Sequence, residues 1–170
     1  ASPDDVGVLL SLMRLNVITG RRPTHVQPLL KRLRQLVPDN PELLKYAAMY
    51  NVNSFFQYRT ALKDMQAYTG LRPDDVFGHN FIGFLHYRLG DYEASIESLE
   101  RAIDMAPDNV YAYALLARDY ALLYRKASPG SGRQRYREQS LAMLEKAASA
   151  PTPDAIRVAR LQTWLDRRLR

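Results

Sequence analysis

Apolar residues recur along this chain at helical spacing, in runs cut again and again by the same kind of punctuation. Val6 to Thr19 carries Val8, Leu9, Leu12, Met13, Leu15 and Val17, and Thr24 to Val37 carries Val26, Leu29, Leu30, Leu33 and Leu36 on one face, with Gly20 to Pro23 as the turn between them. Pro41 stands where a first-turn proline belongs, Glu42 to Val52 forms the next helix, Asn53-Ser54 a turn, and Phe55 to Tyr68 a helix ending at Thr69-Gly70. Val76 to Leu89, Gly90-Asp91 and Tyr92 to Met105 make the clearest helix-turn-helix unit. Tyr111 to Tyr124 opens another, whose second helix, about Arg135 to Ser149, is delayed by the basic, Gly- and Ser-rich segment Arg125 to Arg133, read as a flexible inserted loop of about residues 125–134. Asp154 to Leu169, with Ile156, Leu161, Trp164 and Leu165, is a last amphipathic helix and has no partner after it.

The punctuation is periodic. Pro3-Asp4-Asp5, Pro38-Asp39-Asn40, Pro73-Asp74-Asp75, Pro107-Asp108-Asn109 and Pro153-Asp154 stand 35, 35, 34 and 46 residues apart. Proline cannot continue the helix before it, and an Asp or Asn side chain caps the first amides of the helix after it. Each such site therefore ends one helix and starts another, which divides the chain into repeats of about 4–40, 41–75, 76–109 and 110–153, plus a terminal helix at about 154–169.

In this register the residues resemble the tetratricopeptide repeat. Residues 76–109 supply His79, Ile82-Gly83, His86, Ser95, Leu99, Ala102 and Pro107, with Gly90-Asp91-Tyr92 at the internal turn; the next repeat supplies Tyr113, Leu116-Ala117, Tyr120, Ser140, Leu144 and Ala147. The second is looser (Leu44, Ala47-Ala48, Asn51, Ala61, Met65, Tyr68), and the first loosest (Leu9, Leu12-Met13, Asn16, Val26, Leu30, Leu33). Small residues at Gly83, Ala48 and Ala117, and at Ser95, Ala61 and Ser140, mark the closest approach of paired helices. Met13 and Val26 break that rule, so the first repeat is expected to splay or to match its helices differently. The resemblance implies an all-α, right-handed α-α solenoid of four repeats in a single domain, with the terminal helix as its cap.

Composition alters this picture little. The chain has no cysteine, which excludes disulfides and thiolate metal sites, and no run approaches the roughly 20 apolar residues of a membrane span. A soluble domain follows, with the cytoplasm slightly favoured over the periplasm or a membrane-tethered parent. Opening on Ala-Ser-Pro without a charged-then-apolar leader suggests a processed chain or an excised domain. The net charge of +6 favours acidic partners or polyanions.

Candidate chemistry is sparse. His79 and His86 lie seven residues apart, about 10 Å along a helix, too far to share a metal, and they hold packing positions of the resemblance. Asp91, Glu93, Glu97, Glu100 and Asp104 form a solvated helical face with Arg101. Gly130-Ser131-Gly132 lacks the strand and Lys-Ser/Thr of a phosphate loop, and no nucleophile elbow exists. No catalytic residue, metal or cofactor is assigned, and the chain is read as non-enzymatic.

What the resemblance does imply is a concave groove lined by first helices. Its places fall on Lys45, Met49, Phe77, Asn80, Phe84, Tyr87, Arg88, Tyr111 and Arg118, whose mixture of rings, cations and amides suits a peptide or a partner helix. The family's clamp for a terminal carboxylate is not reproduced, since Met49, Phe81, Tyr111 and Leu115 replace its polar members and only Lys45 fits. Two alternatives stand beside the groove: self-association into a homo-oligomer through the first repeat or the terminal helix, and polyanion or nucleic-acid contact through Arg125, Lys126, Arg133, Arg135 and Arg137, the less favoured.

Overall fold

A computed structural model of the chain describes residues 4–20, 23–150 and 155–169. These form α1 (Val6–Ile18), α2 (Pro23–Leu36), α3 (Pro41–Phe55), α4 (Tyr58–Leu71), α5 (Val76–Leu89), α6 (Tyr92–Met105), α7 (Val110–Lys126), α8 (Ser131–Ser149) and α9 (Ala155–Asp166), with no strand among the described residues. The expected turn residues Arg21-Arg22 and the last junction, Pro153-Asp154, lie outside them.

The periodic Asx residues work as the spacing predicts. Asp5 accepts from the amides of Gly7 and Val8 at 3.0 and 3.2 Å, Asn40 from those of Glu42 and Leu43 at 2.9 and 3.2 Å, Asp75 from Phe77 at 2.9 Å, and Asn109 from Ala112 at 3.1 Å. Each cap satisfies amides that have no partner within the helix, a contribution of about 1 kcal/mol.

Several boundaries differ from the sequence reading, among them α4, expected at Phe55 to Tyr68 and found at Tyr58–Leu71, and two expected turns. The turn expected at Asn53-Ser54 is helical, because α3 runs on to Phe55 and closes through Phe56, a non-glycine residue at φ 54°; the Phe56 amide donates to Val52 O at 3.2 Å and that of Gln57 to Asn51 O at 3.0 Å. The expected loop at 125–134 is also shorter: α7 continues to Lys126 and α8 begins at Ser131, leaving four residues. Most of the extra sequence has gone into lengthening both helices, so unsatisfied backbone groups are few.

The chain divides into two compact units, Ala1–Gly78 and His79–Arg170. In the first, Leu10, Met13 and Val17 of α1 meet Val26 and Leu33 of α2 and Leu43, Ala47 and Tyr50 of α3. Met13 and Val26 are fully enclosed, so their bulk is absorbed as core volume. An inter-helix polar network sits beside it: Arg34 of α2 donates to both oxygens of Asp64 on α4 at 2.9 and 2.8 Å, and Asn51 of α3 donates to the same carboxylate at 3.3 Å.

In the second unit, α6 packs on α7, α7 on α8, and α9 on both α7 and α8. Gly83 and Leu99 show why a small residue is needed on α5: a Cβ there would stand 2.6 Å from Leu99 Cγ. At the same level Ser95 Oγ donates to Gly83 O at 2.8 Å, and one repeat later Ser140 Oγ donates to Ala117 O at 2.7 Å. Ser95 Oγ also lies 2.7 Å from Asp119 Oδ2, on a side chain that is 0% exposed. A hydroxyl has one proton. With that proton on the Gly83 carbonyl, as the matching Ser140 bond indicates, the short contact to Asp119 needs the carboxyl to donate. Burial pushes the Asp119 pKa up to about 8 and the charge of Glu93 adds to it, while a Ser95 proton turned from Gly83 O to the carboxylate would oppose it. Asp119 is therefore a neutral acid at pH 7, joining α7 to α5 and α6.

Candidate functional site

In the first unit, Lys45 of α3 and Phe77 of α5 come together. Lys45 Nζ stands 4.2 Å from the centre of the Phe77 ring and 5.7 Å from that of Tyr68, an arrangement worth about 0.5–1 kcal/mol at an accessible site. Met49, one turn along α3, is half-buried against the core. Beside Lys45 opens a cleft of about 990 Å³ walled by Glu42, Tyr46, Tyr68, Arg72 and Asp75. Its floor is fixed by Asp75, which caps α5 and also accepts a hydrogen bond from the Tyr68 hydroxyl. Burial, then that bond and the carboxylate charge, push the Tyr68 pKa up to about 12.

In the second unit the remaining candidates separate into three groups. Asn80 Oδ1 accepts from Asn109 Nδ2 at 3.0 Å, tying one repeat's first helix to the next repeat's cap. Phe84 is half-buried, stacked on Phe81 at 5.9 Å, with the exposed Arg88 guanidinium 5.8 Å from its centre. Tyr87 faces α6, 6.3 Å from Tyr92, and packs on the core that α6 and α7 share. Spacing along α5 cannot reveal this, because Tyr92 is placed by the turn at Gly90, φ 86°.

Tyr111 and Arg118 lie two turns apart on α7, the third group. Arg157 of α9 sits 5.8 Å from the Tyr111 ring centre, and Arg118 is 5.9 Å from that of Trp164, over which Arg168 stacks at 4.0 Å. Burial raises the Tyr111 pKa, opposed by the charges of Arg157 and Arg118. The Nε groups of Arg118 and Arg168 are shielded from solvent and donate to nothing among the described residues. A donor left so costs about 1–3 kcal/mol. Along the sequence Trp164 reads as part of a cap and Arg168 as a dipole-compensating cation; only the packing of α9 against α7 gathers them beside Arg118.

The basic stretch 125–137 is anchored rather than loose. Lys126 lies 4.4 Å from the Tyr92 ring centre, Arg133 4.5 Å from that of Tyr124, and Arg137 Nε donates to Leu169 O at 3.3 Å. Among the described residues no group of three or more His, Asp or Glu is placed to hold a metal, and no helix is long and apolar enough to cross a membrane. His86 lies with Nδ1 3.7 Å from Asp91 Oδ2, at the α5–α6 turn.

Comparison with known proteins agrees with the fold. Residues 78–109 match the family model of the tetratricopeptide repeat. No curated protein matches the sequence significantly. Among solved structures, MamA is 20% identical, with a TM-score of 0.69 over 89% of this chain and 80% of that one. A double mutant of MamA from RS-1 is 17% identical, with a TM-score of 0.69 over 98% and 96%. A thermophilic TPR protein of Thermus thermophilus is 16% identical, with a TM-score of 0.58 over 96% and 98%. The class is thus an all-α helical-repeat solenoid. Residues 78–109 match one tetratricopeptide repeat, and the fold of the chain is shared with a protein of that kind.

Proposed function

We propose that the chain is a non-catalytic protein-interaction scaffold, holding a peptide or helix of a partner on the faces that carry Lys45, Phe77, Phe84, Arg88, Tyr111 and Arg118. The observation carrying this reading is the repeated pairing of a first-helix cation with a partly accessible ring: Lys45 with Phe77, Arg88 with Phe84, and Arg118 with Trp164 of α9. Rings contribute buried area at small entropic cost, and cations beside them fix polar groups of a bound chain. Met49, Asn80 and Tyr87 support these positions through core and inter-repeat contacts. The test is binding to a peptide array by the wild type and by K45E, F84A and R118Q, each checked for unchanged helicity. Loss of captured peptides in at least one variant is expected; capture identical in all three refutes the assignment.

A second reading is favoured by α1. Val8, Leu12, Leu15 and Ile18 are 43%, 43%, 58% and 63% exposed and share the face opposite buried Leu10, Met13 and Val17. Self-association through this stripe predicts a molecular mass that rises with concentration and is fixed at the monomer value by L15E/I18E. A monomer at all concentrations in the wild type removes it.

A further inference from the structure

The cluster on α7 and α9 has more positive charge than its own contacts use. Arg168 stacks on Trp164 at 4.0 Å and Arg118 lies 5.9 Å from the same ring, so two like charges share one aromatic surface. None of the ion pairs among the described residues involves either, and each keeps a shielded Nε without an acceptor. Two turns up α7, Tyr111 extends the aromatic wall, with Arg157 beside its ring. Trp164 is half-buried rather than enclosed, whereas Leu161 and Leu165 provide the packing that seats α9. Trp164 also packs on that core, and as a half-buried ring it keeps part of its indole accessible beside the two guanidiniums.

Forked donors beside apolar rings fit planar, two-oxygen acceptors alternating with apolar groups. We propose that the Arg118–Trp164–Arg168 cluster, extended by Tyr111, binds an acidic segment of a partner protein, its carboxylates on the two arginines and its apolar side chains on the rings. This rests on the scaffold reading, and it makes α9 part of the binding face as well as a cap. A phosphate backbone is the poorer fit, because it presents evenly spaced charges and calls for a track of cations, whereas these converge on two rings.

Trp164 is the chain's only tryptophan, so its fluorescence reports occupancy of this cluster alone. The probe is an array of random-sequence short peptides graded by net charge, with the bound ones then titrated in solution against the whole chain. Acidic peptides with interspersed apolar residues should shift Trp164 emission saturably, the response falling steeply with added salt. R118Q and R168Q should each weaken binding by about tenfold or more at unchanged helicity, while R118K, which keeps the charge but loses the fork, should recover only part. Trp164 responses equal for acidic, neutral and basic peptides, acidic binding that survives both Arg→Gln changes, or an RNA oligonucleotide that outcompetes the acidic peptides would overturn the proposal. Neutral or basic peptides captured in a manner sensitive to K45E or F84A would sink this inference and leave the scaffold reading standing. An array on which nothing binds would remove both.

Discussion

Asp119→Asn tests the proton placement at the heart of the second unit. The wild-type carboxyl has a folded-state pKa pushed up to about 8 against 3.8 for an unperturbed aspartate. Between those values the folded chain binds a proton that the unfolded chain has released, so stability is complete below about pH 4, falls as pH rises, and is lost through about pH 8. The steepest slope is about 1.4 kcal/mol per pH unit, which makes the cost at pH 7 relative to pH 4 of order 4 kcal/mol. Water penetration and relaxation make that figure a ceiling. Asparagine keeps the shape, cannot ionise, and offers Nδ2 to Ser95 Oγ as the carboxyl proton does, leaving the Ser95 hydroxyl on Gly83 O at 2.8 Å. The measurement is urea denaturation followed by helical circular dichroism from pH 5 to pH 9, for wild type and D119N. The difference in unfolding free energy isolates this group, and it should grow by about 3–4 kcal/mol in favour of D119N between pH 5 and pH 8. Parallel pH profiles would refute the neutral acid, and would mean that Ser95 gives its proton to an ionised Asp119.

Gly83→Ala would force a Cβ to within 2.6 Å of Leu99 Cγ on a fully buried side chain and should cost about 1–3 kcal/mol in thermal unfolding, whereas Gly70→Ala, with nothing within 4 Å, should be neutral or slightly stabilising. Arg34→Met strands the Asp64 carboxylate, 7% exposed, with only the 3.3 Å Asn51 contact, and should cost about 2–3 kcal/mol. The double variant Arg34→Met/Asp64→Leu should recover part of that loss; a double-mutant stability equal to the sum of the two single effects would show that the pair is uncoupled. Asn40→Ala removes the bonds to the amides of Glu42 and Leu43 and should lower stability by about 1 kcal/mol, read from the urea midpoint.

Helix identity, repeat register and the capping Asx residues were legible in the chain because all three are local. Asp5, Asn40, Asp75 and Asn109 each cap amides two or three residues on, and a Pro upstream stops the previous helix, so one glance at spacing suffices. The resemblance singled out both Lys45 and Phe77, which the structure brings together. Other features depended on partners distant in sequence. Phe56 closes α3 in a left-handed conformation that nothing in its neighbours announces, and the extra residues near 127 lengthen α7 and α8 because helical hydrogen bonds satisfy backbone that a loop would leave to water. Tyr87 turns toward Tyr92, and Arg168 reaches Trp164 while Arg118 approaches it from another helix. Asp119 shows the same limit in its sharpest form. Its charge state depends on burial among α5, α6 and α7, a desolvation that no spacing of residues along one helix encodes. By itself the sequence determined which segments are helices and in what register they repeat; the packing of one helix on another decided which side chains meet, which protons stay, and where positive charge gathers.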